Sequence, residues 1–174
     1  DKKENGSQED DESEDARQNT TELRAKHRSI LSARRHLVLL AQNQTGLNNI
    51  FQLISDSNKG SSFYRYPRID LNALSCHSEG VVALSACMGG VYAGEYWAHV
   101  EEGAEAILDA MRVMTVKMQS IFGNRWYAEL QWNAIPEQHH INAFVIQIAK
   151  EFDIKLVSTC DSHFPNSDLW KDRE

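Results

Sequence analysis

Asp161 and His163 stand with one residue between them in LVSTCDSHFP, residues 156–165, where an apolar run ends in small residues and a proline follows at 165. A carboxylate and an imidazole placed just where a strand stops are both able to hold a metal ion. Cys87 has a similar setting at the end of the run VVALSAC, ahead of Gly89 and Gly90. Glycines there let a ligand come close to the backbone. His36 opens a third apolar run, HLVLLA, residues 36–41. Carboxylate, imidazole and thiolate together make a donor set for zinc, or for manganese or iron. Each residue also has a plainer reading. Asp-x-His after a strand serves equally as a capping acid and a surface histidine. A single cysteine serves as a small buried apolar residue, and His36 as a hydrogen-bonded histidine at a strand edge. His139 and His140 fall early in a helix and should face solvent, while His77 and His99 have no evident partner. The sequence holds no phosphate-binding loop, GxGxxG, GxSxG or CxxC pattern.

The pattern of the chain supplies elements to carry these residues. HLVLLA predicts a short buried strand. Gln44–Gly46 predicts a turn, and residues 47–55 a helix with Leu47, Ile50, Phe51 and Ile54 on one face. NKGSSFYRYPR predicts a loop, and IDLNALSCHS a short helix capped by Asp70. Residues 81–90 predict a second strand running into glycines. Glu101 to Phe122 predicts a long helix whose stripe runs Ile107, Leu108, Met111, Met114, Met118, Ile121, Phe122, with Gly123 as its stop. The methionines on that stripe are core filler. Residues 125–131 predict a third strand, and 136–152 a helix with Pro136 in its first turn. Residues 155–160 predict a fourth strand. Strands alternating with helices argue for an α/β fold with parallel strands and helical crossovers. In α/β barrels function sits at the C-terminal ends of the strands, which is where Asp161 and His163 fall.

Composition frames this core. The 174 residues are 41% hydrophobic and 25% charged, as in an ordinary globular protein. No apolar run approaches the ~20 residues needed to span a bilayer. The net charge of −7 is uneven: residues 1–15 hold eight acids and two lysines, leaving only −1 for the rest. Residues 1–30 are therefore expected to be an acidic, low-complexity, disordered insertion, with residues 21–35 mixed in character and partly helical. The remainder is not basic enough to announce nucleic-acid binding through charge alone. Three cysteines at no disulfide-like spacing suit a reducing cytoplasm. The chain opens DKKENGSQED without an initiator methionine and closes LWKDRE on what reads as the first turn of a helix. Both ends lead us to expect a piece of a larger protein.

Taken in order, four stretches resemble a known family. They are HLVLLAQNQTGLNNIFQLIS, YPRIDLNALSCHSEGVVALSACMGG, the run from FGNRWYAELQ to STCDSHFP, and DLWKDRE. Residues 34–174 resemble the PHP (polymerase and histidinol phosphatase) domain of bacterial-type replicative DNA polymerase, the polymerase III alpha subunit. The resemblance implies that residues 31–174 are the C-terminal part of a distorted (β/α)7 barrel with a multinuclear metal site. It implies that His36, Cys87, Asp161 and His163 are metal ligands. The family's HxH strand, Asp-His pair and Glu have no counterpart here and would lie upstream. WNAI stands where the family often has a basic or histidine-containing stretch, and Cys160 stands where Asn is common.

In function, the resemblance implies a DNA-directed DNA polymerase acting in DNA replication. Its PHP site would be a metal-dependent phosphoesterase or 3′–5′ exonuclease. Implied partners are DNA, through the full polymerase, and other replisome subunits, with no membrane. Two alternatives stand beside this: a non-catalytic structural PHP module, and a free-standing PHP phosphatase. The isolated chain is expected to be inactive, because a partial barrel carries only part of the ligand set.

Overall fold

The computed structural model describes residues 34–64, 66–163, 166 and 169. The readings for residues 1–30, for most of 21–35 and for DLWKDRE (Leu169 apart) lie outside them. Every element below belongs to one compact unit, Arg35–Glu174.

Strand β1, Val38–Ala41, leads into helix α1, Gln44–Ser57. A short hairpin follows, β2 Phe63–Tyr64 against β3 Tyr66–Pro67, and then helix α2, Leu71–Cys76. Strand β4, Val81–Leu84, runs into α3, Val91–His99, and α4, Ala104–Phe122. Strand β5, Trp126–Gln131, helix α5, Pro136–Glu151, and strand β6, Lys155–Thr159, complete the described chain. The main sheet has the order β1-β4-β5-β6.

β4, β5 and β6 are parallel neighbours, with Leu84 opposite Tyr127 and Gln131 opposite Thr159. β1 is antiparallel to β4, with Val38 opposite Leu84 and Ala41 opposite Val81. This corrects the expectation of parallel strands throughout: the sheet is mixed. The reason lies at the ends of the two strands. The Gln42 amide donates to the Gly80 carbonyl at 2.8 Å. β1 and β4 therefore form a hairpin with α1, β2–β3 and α2 inserted in its loop, and no crossover is needed. The strands form an open sheet, and no closed barrel is present among the described residues.

Three local readings also change. Gln44–Gly46 is the first helical turn, because Asn43 caps α1 by accepting from the Gly46 amide at 2.9 Å. The inward face of α1 turns on Leu53, whereas Phe51 and Ile54 are more than half exposed. Helix α3 fills the interval between Gly90 and Glu101 that the pattern left unassigned. β1, expected to be buried, is instead a sheet edge with Val38 and Leu40 exposed. Other expectations hold. Asp70 caps α2 through the Ala73 amide at 2.8 Å. The predicted α4 stripe points into the core, and His139 and His140 face solvent.

The core lies on one face of the sheet. Val81 and Ala83 of β4 and Trp126, Ala128 and Leu130 of β5 point into the cluster formed with α3, α4 and α5. Trp126 meets Tyr92 edge-on at 5.8 Å and donates its indole N–H to the Tyr92 hydroxyl at 3.1 Å. That hydroxyl also pairs with Thr115 Oγ1 at 2.8 Å. Burial pushes the Tyr92 phenol above its ordinary pKa. The alternate residues of the same strands, Tyr127, Glu129 and Gln131 among them, point to the opposite face.

Candidate metal centre

The turn after β4 places Cys87. Ser85 still belongs to the sheet, since its amide donates to the Tyr127 carbonyl at 3.1 Å. Ala86 then adopts a left-handed conformation with φ +63°, which costs a non-glycine residue roughly 1–2 kcal/mol. The chain folds back so tightly that the Gly90 amide reaches the Cys87 carbonyl at 2.7 Å and the Val91 amide reaches the Ser85 carbonyl at 3.3 Å. A Cβ at Gly90 would collide with the Ser85 carbonyl oxygen.

His36 lies against this returning loop. It bridges Gly90 in parallel, and its amide donates to the Gly89 carbonyl at 2.8 Å. A Cβ at Gly89 would stand 3.0 Å from the ring's Nδ1, so the glycine makes room for the imidazole. The result is a pair: His36 Nδ1 lies 3.3 Å from Cys87 Sγ. The sulfur also accepts from the Gly89 amide at 3.4 Å. His77 and His99, for which the sequence offered no partner, have neighbours too: Asn49 Oδ1 at 3.4 Å and Glu102 Oε2 at 3.1 Å.

His36, Cys87 and Asp161 line one cavity of about 360 Å³. It opens at the C-terminal ends of β4, β5 and β6, as the sequence led us to expect. Asp161 has a left-handed backbone at φ +49°. His163 is not among the lining residues. Its Nδ1 pairs with the Asp161 carbonyl at 2.7 Å, and the Asp161 carboxylate is 3.8 Å away. The structure thus pairs His36 with Cys87, sets Asp161 on the same cavity wall, and leaves His163 turned back on the loop beside it.

Glu129 was missed. It lines the cavity floor at 6% exposure, with Gln131 beside it at 2%. Its carboxylate accepts from the Ala86 amide at 3.0 Å, from Gln131 Nε2 at 3.3 Å and from the Thr159 hydroxyl. The signal was there: an acid and an amide in alternate positions of an apolar strand share one face. Gln131 Oε1 is buried with no hydrogen-bond partner among the described residues. Flipping that amide would set oxygen against the Glu129 carboxylate, so the present orientation is the better one.

A metal ion fits part of this arrangement. Tetrahedral zinc, with sulfur at ~2.3 Å and nitrogen at ~2.0 Å, holds such donors about 3.5 Å apart, close to the His36–Cys87 separation. The described lining residues include two carboxylates and no lysine or arginine. That charge favours a cation and repels an anion. No group of three His, Cys, Asp or Glu residues close enough to hold one ion is found among the described residues. The pair therefore supplies a partial set of donors.

Residues 7–133 match the family described as the PHP domain. The DNA polymerase III subunit alpha of Aquifex aeolicus is 40% identical over 131 residues, covering 75% of this chain and 11% of that relative. Those of Borreliella burgdorferi and Thermus aquaticus are each 34% identical, over 131 and 132 residues, covering 75% and 74% of this chain and 11% and 10% of theirs. The chain spans about a tenth of the length of the curated relatives it matches. No helix among the described residues is long and apolar enough to cross a membrane.

Proposed function

The chain belongs to the PHP domain family, and from that premise we propose that His36, Cys87, Asp161 and His163 are part of a divalent-metal site for phosphoester hydrolysis. The observation that carries this is the His36–Cys87 pair, 3.3 Å apart beside a cavity that Asp161 also lines. The metal is zinc, manganese or iron. A bound ion of this kind would supply Lewis acidity and activate a water at neutral pH. The chain's own residues do the rest. His36 and Cys87 offer nitrogen and sulfur, and Asp161 offers oxygen from the end of β6, two strands from β4. His163 joins once its ring leaves the Asp161 carbonyl.

The larger context we propose is a replicative DNA polymerase alpha subunit, a DNA-directed polymerase of the cytoplasm, with DNA and replisome subunits as partners. The similarity to polymerase III alpha subunits supports this context. Within it, the PHP site acts as a phosphoesterase or 3′–5′ exonuclease. The test is metal content by plasma mass spectrometry on the protein expressed with its native flanking sequence, beside Cys87→Ser and His163→Ala. Metal in the parent and its loss in both variants is the expected result.

A second reading is a scaffold without chemistry. It is favoured by the absence, among the described residues, of three donors gathered around one point. A metal-free parent protein would decide for it. The 174-residue chain alone is expected not to hydrolyse phosphodiesters. Activity that disappears in Asp161→Asn would overturn that expectation.

A further inference from the structure

The geometry points to Glu129 as the positioning residue that holds the Cys87 and Asp161 loops in register across the cavity. This rests on the metal-site reading for its purpose, but the clasp itself is visible in the hydrogen bonds. Glu129 sits on β5, between the two strands whose ends carry the donors. Toward β4, its amide donates to Ser85 Oγ at 2.8 Å and its Oε2 accepts from the Ala86 amide at 3.0 Å. Toward β6, its Oε1 accepts from the Thr159 hydroxyl. Cys87 follows Ala86 by one residue, and Asp161 follows Thr159 by two.

Two details indicate a purpose beyond satisfying a buried charge. Three non-glycine residues among those described have positive φ, and two of them, Ala86 and Asp161, lie where the clasped strands end. Such conformations persist only where the surroundings over-determine them, and at Ala86 the Glu129 carboxylate supplies that constraint directly. An apolar side chain would also fill the floor more simply, because a buried carboxylate needs every partner it has. Glu129 has donors from both neighbouring strands, so removing it frees both loops at once. Carboxylates that orient ligands in this way typically govern metal affinity by about 10–100-fold.

The test compares the parent protein, in its native flanking sequence, with Glu129→Ala, Glu129→Gln and Thr159→Val. Thr159→Val removes one donor while keeping the side chain's shape. Cobalt(II) titration reads the thiolate-to-cobalt charge-transfer absorption, which Cys87→Ser should abolish. Glu129→Ala is expected to weaken cobalt binding about 10–100-fold, with Glu129→Gln and Thr159→Val falling between it and the parent. A second readout needs no metal: the alkylation rate of each cysteine, mapped by mass spectrometry. Cys87 should change several-fold in Glu129→Ala, while Cys76, at the end of α2, should not. Near-ultraviolet circular dichroism confirms that each variant is folded, and Thr159→Val carries the test if Glu129→Ala does not fold. An unchanged Cys87 rate with unchanged cobalt affinity in folded variants would overturn the proposal. No charge-transfer band in the parent, with a Cys87 rate that still responds to Glu129→Ala, would sink the metal reading and leave the clasp standing.

Discussion

The two faces of β5 differ in chemistry within six residues. Trp126, Ala128 and Leu130 point into the helices, where Trp126 stacks with Phe122 and meets Tyr92 edge-on. Tyr127, Glu129 and Gln131 point the other way, where Lys155 lies over the Tyr127 ring and the two polar residues floor the cavity. Both faces hold well-buried side chains, but for different reasons. The first is buried by apolar packing, which is non-directional and additive in area. The second is buried by hydrogen bonds, which must be complete to be tolerated. The helical face fixes the fold, and the polar face fixes where loops leave the sheet. The comparison also runs along the second face. Toward the C-terminal strand ends it carries the buried polar pair Glu129 and Gln131, while on β1 it ends in Val38 and Leu40, the latter 52% exposed.

The sharpest way to break this contrast is to hollow the helical face. Trp126→Ala should cost about 3–5 kcal/mol in denaturant unfolding, enough to unfold many domains of this size. Leu130→Ala should cost about 2–5 kcal/mol on the same grounds. Leu40→Ala, on the opposite face, should shift stability by no more than about 0.5 kcal/mol. Equal losses at Leu130 and Leu40 would mean that the open face is covered in solution.

A titration sharpens the contrast further. Tyr92 is held by Thr115 and Trp126, and burial raises its pKa above the ordinary value near 10. The unfolded chain therefore ionises first as pH rises. The stability Tyr92 contributes is complete below about pH 10 and declines between that value and its raised folded value. Tyr92→Phe should flatten that alkaline decline in a series of unfolding curves, while leaving Thr115 and Trp126 short of a partner at neutral pH. A further modest effect belongs to a site remote from both faces. Asp70→Ala should remove the α2 cap for about 1 kcal/mol without altering metal content.

How much of this was legible follows from the same distinction. Helices α4 and α5 declare themselves, because Ile107, Met111 and Met118, or Ile141, Val145 and Ile148, recur at helical spacing and are buried as that spacing requires. The placement of Cys87 and Asp161 was legible too, since both follow the end of an apolar run. Strand direction was not: HLVLLA has the same composition whichever way it pairs, and only the Gln42–Gly80 contact fixes it. Gln44–Gly46 read as a turn because the chemistry of Asn43, which caps α1, serves turns and helix caps alike. Helix α3 was hidden because VYAGEYWAH carries a glycine and little amphipathic contrast; Arg35, donating to the Gly94 carbonyl at 3.2 Å, occupies the space beside that glycine. Glu129 stayed hidden because the sequence does not say which alternate positions of a strand meet polar partners.

The central claim is that His36 and Cys87 act as a donor pair, and X-ray absorption at the metal edge tests it most directly. The protein should be purified in its native flanking sequence, beside Cys87→Ser. The account expects a sulfur neighbour at about 2.3 Å if the metal is zinc, absent in the variant. A metal environment of nitrogen and oxygen alone, identical in both proteins, would contradict it.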